Sequence, residues 1–418
     1  MNVLIIGAGI SGLSAARLLQ EKGIDPTVCE FKSKQGGLIE CDVVDGFLYH
    51  KVGGHVFNSK NDRVLNWFWS HFDREREFTK VKRNAQILIR GSYVNYPIEN
   101  NLKQLDKKIS TQILLDLLNV QHNTEKPRNF KDFLLSTFGA TLCSIYFFPY
   151  NEKIWQCDLE QVSLDWLEGK LPSPDLLSIL VDNIYSEDEC DMPHSTFYYP
   201  IKGGSQFIAN RLSQGVTIEF DKEVTRIEVV DDGVLVNGQH YDKIIYTGDI
   251  RSLSKVMHKA PEHIHKPLVK VENLMSHGTS NILCECDQCD LSWLYLPESS
   301  TKAHRIIYTG SFASSNNGDS SRSSCTVEFS GELSEIEMKE EIKKLPGNLR
   351  PIMTNYQVSS YVIHDASTRS VVTETKKALA KSHIHLLGRF AEWEYFNMDT
   401  AIASAMQLVD EEFKIPTN

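Results

Sequence analysis

The sequence predicts an α/β fold in which a parallel-sheet unit, assembled from both ends of the chain, carries a helical insertion and an antiparallel β-sheet domain. Three observations predict it. Residues 2–31 read as strand, glycine-rich turn, helix and strand; helical periodicity dominates 101–180; β-like runs recur from 268 to 375. The 418 residues exceed what one small core needs, so two or three units are expected.

In the opening stretch, Asn2–Ile6 is expected as a buried strand, Ser11–Lys22 as a helix closed by Gly23, and Thr27–Glu30 as the second strand. This is a βαβ unit, which implies a parallel sheet. In the next region Ile113, Leu114, Leu117 and Leu118 share one helical face, as do Phe130, Phe133, Leu134 and Phe138. Ser163 reads as the start of a further helix. Strand character returns over Ile218–Val230, with turn signals at Asp232 with Gly233 and at Asn237 with Gly238, then a buried strand at Lys243–Thr247. Later strands are expected at Ser280–Cys286, Trp293–Leu296, Arg305–Thr309, Cys325–Phe329 and His383–Leu387, and a last helix at Thr400–Phe413. The Ser/Asn/Gly-rich segment Ala313–Ser324 reads as a mobile surface loop. Domain bounds follow: 1–100, 200–250 and 376–418 form one discontinuous unit, 101–199 the helical insertion, and 251–375 the sheet domain.

Gly7, Gly9 and Gly12 stand between the first strand and the first helix. The first makes the tight turn, the second admits a pyrophosphate close to backbone, and the third lets helix pack on strand. The anion then lies at a helix N-terminus, where unpaired N–H groups face it. Glu30 ends the second strand 18 residues after Gly12, placed for a ribose hydroxyl. A motif this close to the N-terminus, with Gly36 and Gly37 shortly after Glu30, favours FAD over NAD: a glutathione-reductase-type, Rossmann-like FAD-binding domain. Ile10, Ser11, Phe31, Gly37 and Leu38 join this cofactor set. The C-terminal stretch LLGRFAEWEYFNMDTAIASAM (386–406) resembles the segment that in this flavoprotein class returns to cover the cofactor. The resemblance implies that Gly388, Arg389, Met398, Asp399 and Thr400 join the set and that the start of the last helix faces the flavin ring.

Composition excludes other classes. A formal charge of −11 does not suit a protein that grips nucleic acid or anionic lipid. No secretory signal and no apolar run near the ~20 residues of a bilayer span stand out, and the nine cysteines read as free thiols, so a cytoplasmic chain is expected. Cys284, Cys286 and Cys289 lack a second ligand pair, so no metal is expected.

Five segments in order resemble the UDP-galactopyranose mutase family, nearer its eukaryotic-type form, within the amine-oxidase and protoporphyrinogen-oxidase-like flavoproteins. They are GGHVF (53–57), YPIENN (96–101), PYNEKIW (149–155), WLYLP (293–297) ten residues ahead of Arg305, and Gly388-Arg389-Phe390 leading to Trp393 and Tyr395. The resemblance implies an isomerase that interconverts pyranose and furanose forms of a UDP-sugar through a covalent adduct with reduced FAD. It implies that Gly54 and His55 lie at the flavin, with His55 and Arg305 catalytic. Phe57 and Tyr96 would stack on the uracil with Ile98 and Glu99 nearby. Asn151 and Trp155 would hold nucleotide or sugar, Arg305 the diphosphate, and Tyr295, Tyr361 and Tyr395 phosphate oxygens. Two departures bear on the substrate: Lys170 stands where the family has a second phosphate arginine, and Glu99 where it has glutamine. A loop over 172–195 is expected to close on the sugar. The implied partners are a nucleotide-sugar and an electron donor for the flavin, with a homodimer as candidate assembly and cell-surface polysaccharide biosynthesis as setting. The alternative reading is an FAD-dependent oxidase or desaturase of the amine-oxidase or protoporphyrinogen-oxidase type, since the fold alone does not fix the reaction.

Overall fold

A computed structural model describes residues 1–120, 126–164, 167, 176–185 and 195–414. Lys170 and most of the expected closing loop, 172–175 and 186–194, lie outside the described residues; between them Leu176–Tyr185 is helical.

A five-stranded parallel sheet anchors the first unit. Its order is Ile384–Leu386, Lys243–Tyr246, Val3–Ile6, Thr27–Cys29 and Thr217–Glu219. The central strand is fully apolar because both faces are covered. On one face Leu13, Ala16 and Leu19 of the helix Ile10–Glu21 pack with Ile402, Ala405 and Val409 of the last helix, Met398–Glu412. On the other face Ile244 and Leu386 meet Ile264, Leu268 and Leu379. That cluster draws in the helices Ile250–Val256, Glu262–Val271 and Thr368–Ala380, so parts of 251–375 pack on the parallel sheet. The hairpin Gly233–Val236 to Gln239–Tyr241 turns at Asn237 (φ 48°) and Gly238 (φ 86°), the positive φ pair that a tight two-residue turn requires.

The seven-stranded sheet has the order Arg350–Val362, Ser276–Cys286, Ser323–Ser330, Ala303–Ile307, Trp293–Tyr295, Ala85–Ile89 and Ser92–Asn95. Its last two strands come from the segment assigned above to the first unit. Ala85–Ile89 pairs in parallel with Trp293–Tyr295 and so extends the substrate-side sheet. Local sequence carries no record of such a distant partner.

The insertion contributes the helices Lys107–Val120, Phe130–Leu142, Phe148–Trp155 and Leu176–Tyr185 around Ile113, Leu117, Phe138 and Leu142. Among the described residues, Phe130–Trp155 is the one helical stretch long and apolar enough to cross a bilayer by length and composition. It is broken at Gly139 (φ 77°) and loosened into a π-turn over Cys143–Phe147. The helix expected from Ser163 falls largely outside the described residues; Ser163 itself donates its N–H to the carbonyl of His364 at 2.8 Å. One local expectation fails. Ala313–Ser324 is not a loose loop at its centre. Asn316 is fully buried, and its Nδ2 donates to the Tyr199 hydroxyl (3.0 Å) and the Thr309 carbonyl (2.8 Å).

Candidate active site

A cavity of about 1160 Å³ runs between the parallel sheet and the seven-stranded sheet. It exceeds the roughly 300–1,000 Å³ of a site for one small ligand, leaving room for a dinucleotide and a second molecule together.

The parallel-sheet end carries the dinucleotide features. Gly7, Gly9, Ile10, Ser11, Glu30, Phe31, Gly37 and Leu38 all line it. Gly7 has φ 105°, and a Cβ at Gly12 would lie 2.0 Å from the Gly7 carbonyl oxygen, so helix and strand approach only because Gly12 has no side chain. Gly12 itself lies behind the wall. Gly9, the N-cap of the first helix, has no side-chain cap, and that helix has no acid in its first turn, so its free N–H groups suit an anion. Glu30 is buried, its two oxygens accepting from the N–H groups of Ala8 (2.8 Å) and Lys32 (3.0 Å) while the carboxylate still borders the cavity.

The reactive end is shaped by Gly53, Gly54 and His55, by Arg389, and by the start of the last helix at Asn397, Met398 and Asp399. Asn397 supplies no side-chain cap, leaving the positive end of that helix on the cavity. Thr400 is exposed and bonds back to the Asn397 carbonyl at 3.0 Å, outside the cavity wall. Gly388 also stands off the wall; at φ 95°, its Cβ would fall 2.6 Å from Ser11 Oγ. Arg389 clamps the aromatic loop through the carbonyls of Phe396 and Ser360 and lies 4.6 Å over the Tyr395 ring. His55 is partly buried, and its Nε2, itself shut off from solvent, makes no hydrogen bond, so an aimed polar atom awaits a partner. Burial, and after it the Arg389 charge, pushes the imidazole down to about 4, so it is neutral at physiological pH. Cradle, ribose acid, uncapped helix ends and orphaned imidazole together fit FAD.

Opposite this end, Tyr295, Arg305, Tyr361 and Tyr395 line the same cavity. Tyr361 stacks between Tyr395 (5.8 Å) and His277 (5.1 Å). Burial raises the phenols of Tyr361 and Tyr150 far above their ordinary value, keeping them hydrogen-bond donors. Arg305 ion-pairs with Glu328, which is 1% exposed and held well below the carboxylate range by that guanidinium and by His304, against the opposing pull of burial.

Several expected substrate residues sit elsewhere. Phe57 is a core residue: it is fully buried, stacks on Phe68 at 3.6 Å, and presents no face to the cavity. Ile98 is fully buried in the insertion core. Trp155 packs edge-on behind Tyr361 at 6.0 Å, and Asn151 donates its amide to the Phe147 carbonyl at 2.7 Å; neither borders the cavity. Tyr96 lies one layer back, 5.2 Å from Tyr295. Glu99 is buried, and that burial raises its carboxyl to about 7.

His304 and Glu328 escaped the sequence reading. Arg83 lines the cavity between the rings of Tyr96 (4.9 Å) and Trp293 (5.3 Å), with Nη2 donating to the Tyr295 hydroxyl at 2.7 Å. The one legible signal was Glu328, an acid inside the buried strand Ser323–Ser330.

Comparison with known proteins agrees with this geometry. The family model for flavin containing amine oxidoreductases matches residues 10–345. The UDP-galactopyranose mutase of Mycoplasma pneumoniae is 21% identical over 98% of this chain and 96% of its own length. The dTDP-fucopyranose mutase of Escherichia coli is 25% identical over 60% of this chain, and the match spans 63% of that protein. A crystal structure of reduced UDP-galactopyranose mutase superposes with a TM-score of 0.88 at 22% identity, covering 100% of this chain and 96% of the other, and shares the fold. This chain belongs to the flavin-containing amine oxidoreductase family.

Proposed function

We propose that this chain is a flavin-dependent nucleotide-sugar mutase that interconverts the pyranose and furanose forms of a UDP-sugar, UDP-galactose or a relative. The observation that carries the proposal is the convergence of Arg305, Tyr295, Tyr361 and Tyr395 on the cavity that His55 and the glycine cradle also line. Bound reduced FAD supplies the nucleophile for the anomeric carbon, without net redox change. The chain does the rest. Arg305, its Nε paired with Glu328, turns its remaining donors to the diphosphate. Tyr361 and Tyr395 donate hydroxyls to phosphate oxygens. Neutral His55 offers its free ring nitrogen at the reacting end. The surrounding aromatic walls exclude water. Lys170 supplies a second cation to the phosphates, and Tyr96 and Glu99 shape the nucleobase end. A cytoplasmic setting, a cellular electron donor and a role in cell-surface polysaccharide biosynthesis belong to the same reading.

The test is anaerobic chromatography of UDP-galactofuranose incubated with FAD-loaded protein, oxidised and dithionite-reduced. Conversion to UDP-galactopyranose in the reduced sample alone is expected. No conversion, with peroxide formed from an amine substrate in air, would replace the mutase with oxidase chemistry. The similarity to the E. coli dTDP-fucopyranose mutase favours one variant reading, a dTDP-sugar. A parallel incubation with dTDP-fucofuranose decides between the two nucleotides.

A further inference from the structure

The strands Ala303–Ile307 and Ser323–Ser330 are out of step at one point: Ala303 pairs with Phe329 and Arg305 with Glu328, so His304 is an extra residue. Side chains in a regular strand alternate between faces, and His304 and Arg305 would point apart. The bulge re-aims them. Arg305 Nε bonds to Glu328 Oε2, and His304 Nε2 lies 3.5 Å from the same oxygen. The other oxygen, Oε1, accepts the Gly53 N–H at 2.9 Å. Gly53 has φ 64°, a conformation that a side chain would strain, and two residues later the chain presents His55. Glu328 thus has each oxygen committed to a different wall of the cavity. One holds the loop on the cofactor side and the other the cation on the substrate side.

We propose that Glu328 is a positioning residue that couples the Gly53–His55 loop to Arg305, so that the cofactor-side loop and the nucleotide-binding cation move as one unit. The nucleotide as ligand of Arg305 rests on the function proposed above. A carboxylate fixed at both oxygens and buried at 1% exposure has little freedom to absorb a shift on one side. Displacement of the loop therefore reaches the guanidinium.

The experiment uses FAD-loaded protein and reads two quantities in each variant: UDP affinity by titration calorimetry, and the flavin's visible spectrum and reduction potential. Gly53→Ala perturbs the loop without touching Arg305. The coupling predicts UDP binding weaker by roughly tenfold in this variant as well as in Glu328→Gln, with a double-variant loss smaller than the product of the single losses. Glu328→Asp, which keeps the charge but shortens the reach, replaces Glu328→Gln if that variant does not fold. UDP affinity within about twofold of wild type in Gly53→Ala, together with an altered flavin spectrum, would overturn the coupling. If wild-type protein binds no UDP, the nucleotide reading falls. The coupling is then read from the other side, in Arg305→Lys. A shifted flavin spectrum or potential in that variant supports it, and an unchanged one overturns it.

Discussion

Tyr295 and Arg305 are directly opposed residues on the antiparallel strands Trp293–Tyr295 and Ala303–Ile307. Directly opposed residues on antiparallel strands project to the same face, so a ten-residue separation in sequence becomes a neighbouring pair on one wall of the cavity. The Tyr295 hydroxyl also accepts a hydrogen bond from Arg83 at 2.7 Å. The phenol is thereby held by Arg83, from the segment between the strands Phe78–Lys82 and Ala85–Ile89, on the wall it shares with Arg305.

That arrangement makes Arg83 part of the wall that faces the proposed nucleotide. Arg83→Gln removes a cation and the donor that orients Tyr295. Nucleotide affinity should fall by roughly tenfold while FAD content stays at the wild-type level. Calorimetric titration with UDP and the flavin absorbance of the purified variant check both halves.

Gly12→Ala should abolish cofactor retention. Its Cβ would lie 2.0 Å from the Gly7 carbonyl oxygen, and relief requires the first helix to leave the strand. The uncapped helix end then moves away from the pyrophosphate. A colourless protein with a native-like circular dichroism spectrum is the expected outcome; full flavin loading would contradict it.

Phe57 distinguishes packing from recognition. It is fully buried against Phe68, so Phe57→Ala should destabilise the fold by about 3–5 kcal/mol while leaving UDP affinity unchanged at temperatures where the protein stays folded. Denaturant unfolding and UDP titration on the same preparation separate the two effects.

Stability should fall in acid below about pH 6.5. Burial drives His385 and His55 from 6.5 to about 4, and His50 to about 3. Between these values and 6.5 the unfolded chain binds protons that the folded chain refuses. Stability is therefore complete above the unfolded value and lost as pH falls toward the folded one. His385→Gln should flatten the dependence of melting temperature on pH between 6.5 and 4, because one such group is gone.

Glu99 acts with the opposite sign. Burial raises it from 4.5 to about 7, so stability present below 4.5 is lost as pH rises through 7. Glu99→Gln should raise the melting temperature at pH 8 and change it little at pH 4.5. Thermal scans at the two pH values check this.

The sequence by itself determined what is local. Glycine spacing around Gly7, Gly9 and Gly12 specifies one tight strand-to-helix turn, because only glycine meets its φ and contact demands. The short apolar run after Lys243 and the helical period around Ile113 specify strand and helix, because a short buried run suits a covered strand and the 3.6-residue period a helix face. The fold class and the glycine cradle were therefore legible. Ala85–Ile89 was not, since its parallel partner lies some two hundred residues away and a strand's pattern does not name its neighbour. Phe57, Ile98 and Trp155 carried motif positions without cavity faces, because residue type is the same whether an aromatic or apolar side chain packs inward or faces a ligand. Only the tertiary structure decided the alliance of Arg305 with Glu328 and, through it, with Gly53. It depends on a one-residue bulge at His304 and on sheet order, and both arise from long-range pairing rather than from the chain near any of those residues.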